Sequence, residues 1–223
     1  DKELWERAHW EREYPTILRP DDSCTEGFEV VAVSENGYYI GKLVAWVPEG
    51  GIFPINRYLL IQNKHGDTIV EMNPNFPLER MLIANNGRFV LHSIRYPFDD
   101  LCYPEIVISI FDATGTMVRH IKEGYGRERG FAYSDDGSLL FALLRRGHMV
   151  ILKCFNEFGQ VLWAKLIDNI SLTNTLEGLR YDSATETIEV RACESGDSLG
   201  VTYVYNEQGE LISKDTFTVS NRH

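Results

Sequence analysis

The chain has 223 residues, 43% of them hydrophobic and 25% charged, with a formal net charge of −11. That is the composition of a soluble globular domain long enough to bury a core, read as cytoplasmic in preference to exported. So acidic a balance disfavours general nucleic-acid binding, which needs a Lys/Arg surface to displace counterions, and disfavours anionic membranes. No run approaches the roughly 18 apolar residues of a membrane span.

Residues 1–20, DKELWERAHWEREYPTILRP, carry Leu4, Trp5, Ala8 and His9 three to four apart among charges. This spacing predicts a short amphipathic helix ending before Pro15, a cap on the body of the protein or a helix that docks on a partner. Beyond it the chain repeats. Turn dipeptides fall at Asn36-Gly37, Asn86-Gly87 and Asp136-Gly137, each 50 residues after the last, with a degenerate fourth copy around Tyr181 to Thr187. A second series falls at Gly66, Gly115, Gly159 and Gly209, at intervals of 49, 44 and 50. Apolar and β-branched stretches flank every turn, and Asn-Gly and Asp-Gly supply positive φ at little steric cost, so each turn reads as a hairpin.

Two hairpins per repeat and four repeats give sixteen strands in four sheets. The strands carry nearly continuous apolar runs, such as Val107 to Phe111 and Met149 to Leu152, the pattern of sheets covered on both faces. The predicted fold is an all-β propeller of four four-stranded antiparallel blades, at about 24–72, 78–121, 130–166 and 176–215 within a domain spanning 21–223. The repeats resemble generic propeller units of the WD40 and pyrroloquinoline-quinone-enzyme kind, most visibly in the GQVLW of Gly159 to Trp163. They lack the Gly-His and Trp-Asp dipeptides of WD40 repeats and the recurrent Trp of the quinoproteins. What the resemblance implies is architecture, with no residue role carried over.

The connections between hairpins, at 46–56, 73–80, 95–104, 123–129, 145–148, 168–177 and 193–199, are the expected long loops of one face. Arg80, Arg95, Arg127, Arg129, Arg145, Arg146 and His148 gather there beside Phe76, Tyr96, Phe98, Tyr103 and Tyr125. Arg and aromatic residues are what binding surfaces concentrate at their centres. Alternatively, the guanidinium groups pair with Asp99, Asp100, Glu123 and Glu128 as a solvated network. Four residues before the inner-strand ends stand Glu29, Glu79, Arg129 and Glu177. Equivalent positions of successive blades would bring them together as a ring at the channel mouth, a salt-bridge cluster closed by Arg129 in preference to a cation site.

Cys24, Cys102, Cys154 and Cys193 form no CxxC pair and are read as free thiols, with two disulfides as the alternative in an oxidising compartment. The six histidines show no HxH or HExxH spacing, and neither a Gly-x-Ser-x-Gly nor a phosphate loop occurs. No catalytic residue, metal or cofactor is expected. The reading is a non-enzymatic propeller that binds a protein or peptide through the long-loop face. The alternatives are a small-molecule or carbohydrate binder, including a hydrolase using Asp99-Asp100 with Glu177, and an acidic neutralising partner of a basic toxin or nuclease.

Overall fold

The computed structural model describes residues 24–48, 56–73, 80–95, 105–125, 127–146, 149–167, 178–193 and 199–218. Of these, 24–30, 45–48, 56–57, 94–95, 105, 124–125, 127–129, 145–146, 192–193, 199 and 218 are described by backbone alone. The helix expected within 1–20 lies outside the described residues.

The first sheet contains β1 (Cys24–Val33), β2 (Tyr39–Pro48), β3 (Asn56–Asn63) and β4 (Thr68–Met72). The second contains β5 (Arg80–Ile83), β6 (Phe89–Arg95), β7 (Glu105–Phe111) and β8 (Met117–Tyr125). The third is β9 (Arg127–Tyr133), β10 (Leu140–Arg146), β11 (Met149–Phe155) and β12 (Val161–Ile167). The fourth is β13 (Leu179–Asp182), β14 (Thr187–Cys193), β15 (Leu199–Asn206) and β16 (Leu211–Thr218). Each sheet is built from four consecutive strands in chain order, so every blade is completed by its own repeat.

Local chemistry explains the turns. Ser34 and Ser134 donate their hydroxyls to Oδ1 of Asn36 and Asp136, at 2.8 and 2.7 Å. Each serine Oγ also accepts the backbone N–H five residues on, from Tyr39 and from Leu139, at 2.9 Å. Oδ1 of Asn36 and of Asp136 accepts a further N–H, from Tyr38 and Ser138, so the side chains satisfy what the reversing backbone leaves open. In the second blade Ala84 stands in the serine position, and the Asn86 side chain accepts the Arg88 N–H at 3.1 Å.

The outer turns use another local device. Asn63, Asp112 and Asn156 each accept two backbone N–H groups on Oδ1, those of residues two and four ahead. Asn206 accepts that of Glu210. In seven of the eight tight turns a glycine takes a left-handed conformation; in the eighth Glu186 does so, at φ 52°, four residues after Asp182, where Gly37 and Gly137 stand three after Ser34 and Ser134. That is why the fourth inner turn looks degenerate in sequence: its left-handed residue stands one position later and is not glycine.

The chain divides into two compact units, one of Asp1–Ile94 with Val107–His120 and the other of Arg95–Ile106 with Ile121–His223. In the first, Leu43, Leu59 and Ile61 pack with Met81, Ile83, Phe89, Leu91 and Phe111. The Phe89 and Phe111 rings stack 4.6 Å apart. Gly41 marks a close approach of the blades, where a Cβ would stand 2.6 Å from Ile83 Cδ1 and the side chain would have to shift. In the second unit Phe141, Leu143, Val150 and Leu152 pack with Leu179, Tyr181, Ile188 and Val190, and Phe141 stacks on Tyr181 at 5.7 Å. All five residues from Leu140 to Leu144 are at most 2% exposed, the signature of a strand covered on both faces.

Candidate functional site

The sequence places the Arg-rich stretches in loops, and here the structure corrects it. β8 runs to Tyr125 and β9 begins at Arg127, so the expected loop 123–129 is strand on both sides of residue 126. Arg145 and Arg146 are the last residues of β10 rather than a loop. The reason is pairing: β10 and β11 form a hairpin with Arg146 opposite Met149, which carries the ladder to within two residues of the reversal. The register then sets Arg127 directly opposite Arg145. Three arginine positions therefore share one end of the third blade, next to Met149, whose side chain is 50% exposed.

Arg129 has a separate place. Gly130 pairs with Leu143 and Glu128 with Leu144, so Arg129 is the extra residue of a β-bulge, a device that re-aims a side chain. Glu29, its counterpart in the expected ring, pairs regularly with Val44. Glu79 and Glu177 lie outside the described residues, as do Phe76, Tyr96, Phe98, Tyr103 and His148. Arg95 ends β6 and Tyr125 ends β8, both described by backbone alone. Arg80 opens β5, exposed, with His92 opposite it on β6. Burial first, and then the Arg80 charge, lower the His92 pKa to about 4, so this imidazole, 1% exposed, is neutral at physiological pH.

The carboxylate of Glu123, near the end of β8, forms an ion pair with the Lys153 ammonium on β11. Their side chains are only 7% and 17% exposed. One of the carboxylates read as a neutralising partner of the arginines is thus bonded to a lysine. The sequence signal for this pair was the single charge in the apolar run MVILKCF of β11, where a buried cation demands a partner.

Elsewhere polar groups serve structure. Trp163 Nε1 donates to the Glu207 carbonyl at 2.7 Å, and the Tyr181 hydroxyl donates to Glu207 Oε1 at 2.6 Å. Burial, followed by the bond to Glu207, holds the Tyr181 hydroxyl above the usual phenol range. Cys154 is a free, buried thiol pushed up to about 12, by burial first and then the Glu207 charge, which leaves it an inert core residue. Ser109 Oγ and His120 Nδ1 stand 3.0 Å apart, but Ser109 is 0% exposed, so a substrate has no access to its hydroxyl. Among the described residues no group of three or more His, Cys, Asp or Glu is arranged to hold a metal ion. Nor is any helix among them long and apolar enough to cross a membrane.

No family model and no curated protein sequence matches the chain. Solved structures do. The β-propeller domain of the trilobed protease from Pyrococcus furiosus, described as having an open velcro topology, is similar at a TM-score of 0.54 and 9% identity over 86% of this chain. TolB from Acinetobacter baumannii is similar at 0.52 and 12% identity over 90%. An oligogalacturonate lyase in complex with manganese is similar at 0.52 and 12% over 86%. The chain spans 58%, 44% and 54% of the lengths of these three. At such identities the likeness shows the fold alone. The chain is a β-propeller of four four-stranded antiparallel blades, with no specific family attached.

Proposed function

We propose that this propeller is a non-enzymatic binding module that takes a protein or peptide segment at the arginine-bearing end of its third blade. The observation that carries the reading is the register of β9, β10 and β11, with Arg127 opposite Arg145 and Arg146 opposite the exposed Met149. Like charges directly across a ladder destabilise a sheet by roughly 0.2–1 kcal/mol. A fold that keeps such a pair breaks a local rule, and breaks of this kind are typical of functional sites. The flexible, exposed thioether of Met149 adds an adaptable apolar contact at the same strand end as these arginine positions. The formal charge of −11 disfavours nucleic acid and anionic membrane as the partner.

The test is a triple substitution, Arg127→Ala, Arg145→Ala and Arg146→Ala, assayed against peptides selected on the wild-type protein from a random display library. Binding of those peptides should fall at least about tenfold while the melting temperature stays level or rises slightly. Unchanged affinity for the selected peptides refutes the reading.

A further inference from the structure

Register divides the arginines of the third blade between the two faces of its sheet. Directly paired residues of a ladder lie on one face, so Arg127 and Arg145 share theirs with Val150 and Ile167, the next partners in the same row. Arg146 belongs with Met149 to the opposite face. Val150 and Ile167 are 0% and 2% exposed, in the core that joins the third blade to the fourth. The next row on this face holds Gly130 and Leu143, and there the two blades come into close contact: a Cβ on Gly130 would stand 2.9 Å from the Leu179 Cβ. The Arg127 and Arg145 positions therefore stand at the end of the seam between two blades. Charge at this seam end is of one sign. Lys165 of β12 shares the arginine face and is exposed. Beyond Leu179, the facing side of the fourth blade brings up Ala192, Val201 and Thr216, paired in one row. Among the described residues neither face carries a carboxylate at this end: Glu128 pairs with Leu144 on the face of Arg146, and Glu123 is bonded to Lys153.

We infer that Arg127 and Arg145 together hold a phosphorylated side chain of the bound segment, an inference that rests on the peptide-binding reading above and names its anchor group. Directly opposed residues have Cβ atoms about 4.5–5.5 Å apart, within the reach of two arginines for a single group. A carboxylate matches one guanidinium fork and leaves the second cation unpaired beside an apolar seam. A phosphoryl group carries about −1.5 to −2 of charge on three acceptor oxygens and so matches both. A run of Asp and Glu would spread its charge over a protein whose own formal charge is −11, whereas a phosphoryl group concentrates it at one point.

The test is an array of random-sequence peptides, each made with serine, glutamate or phosphoserine at its centre and probed with the full chain, the best binders then being measured by fluorescence anisotropy. The phosphoserine form of those peptides should bind at least about tenfold tighter than the serine and glutamate forms. In the double variant Arg127→Ala, Arg145→Ala, its fold checked by far-UV circular dichroism, that preference should shrink to within about twofold. The double variant Arg127→Lys, Arg145→Lys keeps both charges and loses the planar forks, and should reduce the preference at least about threefold. Serine or glutamate forms that bind as tightly as phosphoserine, and still depend on the two arginines, overturn this inference and leave the peptide-binding reading standing. Absence of binding by every form overturns both. A phosphoserine preference that survives in the alanine variant overturns the assignment to this pair, and inorganic phosphate or a DNA oligonucleotide that binds as tightly as the best phosphopeptide overturns the peptide as its source.

Discussion

Gly209→Ala isolates how one turn glycine is held by the neighbouring blade. Gly209 has φ +77°, and a Cβ built on it would lie 2.7 Å from Cδ2 of Trp163, 2.9 Å from Cε3 and 3.0 Å from Cε2. Carbon atoms rest no closer than about 3.5 Å, so the ring must retreat. It is anchored, however, by its Nε1 bond to the Glu207 carbonyl at 2.7 Å and by contact with the core of the second unit. The left-handed backbone costs an alanine about 1 kcal/mol, and forcing a packed ring aside costs about 1–3 kcal/mol more. The expected loss is therefore about 2–4 kcal/mol, measured by urea unfolding followed in the far ultraviolet. A double-mutant cycle separates the two contributions: in a Trp163→Leu background the steric part vanishes and Gly209→Ala should cost only about 1 kcal/mol. Equal costs in both backgrounds would show that the indole does not confine this turn.

Two further outcomes follow from the fold. Glu186 holds φ 52° on an exposed turn, so Glu186→Gly should stabilise by about 0.5–1 kcal/mol and raise the melting temperature by about 1–4 °C; a lowered temperature would contradict the strain assigned to this residue. His92, with its pKa lowered from 6.5 to about 4 in the fold, is protonated more readily once unfolded. Its contribution is thus fully present above pH 6.5 and is lost as pH falls through 4, about 3 kcal/mol in all. Urea midpoints between pH 7 and 4 should show this slope and lose it in His92→Gln. Asp112 and Asp136, whose carboxyls are lowered chiefly by hydrogen bonds from Thr114 and from Ser138, add to acid sensitivity only below the ordinary 3.8.

The propeller was legible in the sequence because its punctuation is local. Ser34-x-Asn36-Gly37 and Asn63-x-x-Gly66 close their turns with their own side chains, within five residues of chain, so the same letters recur wherever the same turn recurs. Buried runs such as Leu140 to Leu144 likewise declare strands covered on both faces. What the letters do not carry is whatever depends on register between strands or on a neighbouring blade. Pairing decided that Arg145 and Arg146 continue a ladder instead of forming a loop, and that Arg129 is a bulge residue while Glu29 is not. Packing decided that Glu123 meets Lys153, thirty residues away, and that the Trp163 ring closes over Gly209. Glu186 adopts a glycine conformation because Asp182 and Thr187 are already fixed opposite one another by the sheet. A hydrogen bond within a turn is written in adjacent residues, whereas a contact between strands is set by the sum of many pairings, and only the folded chain evaluates that sum.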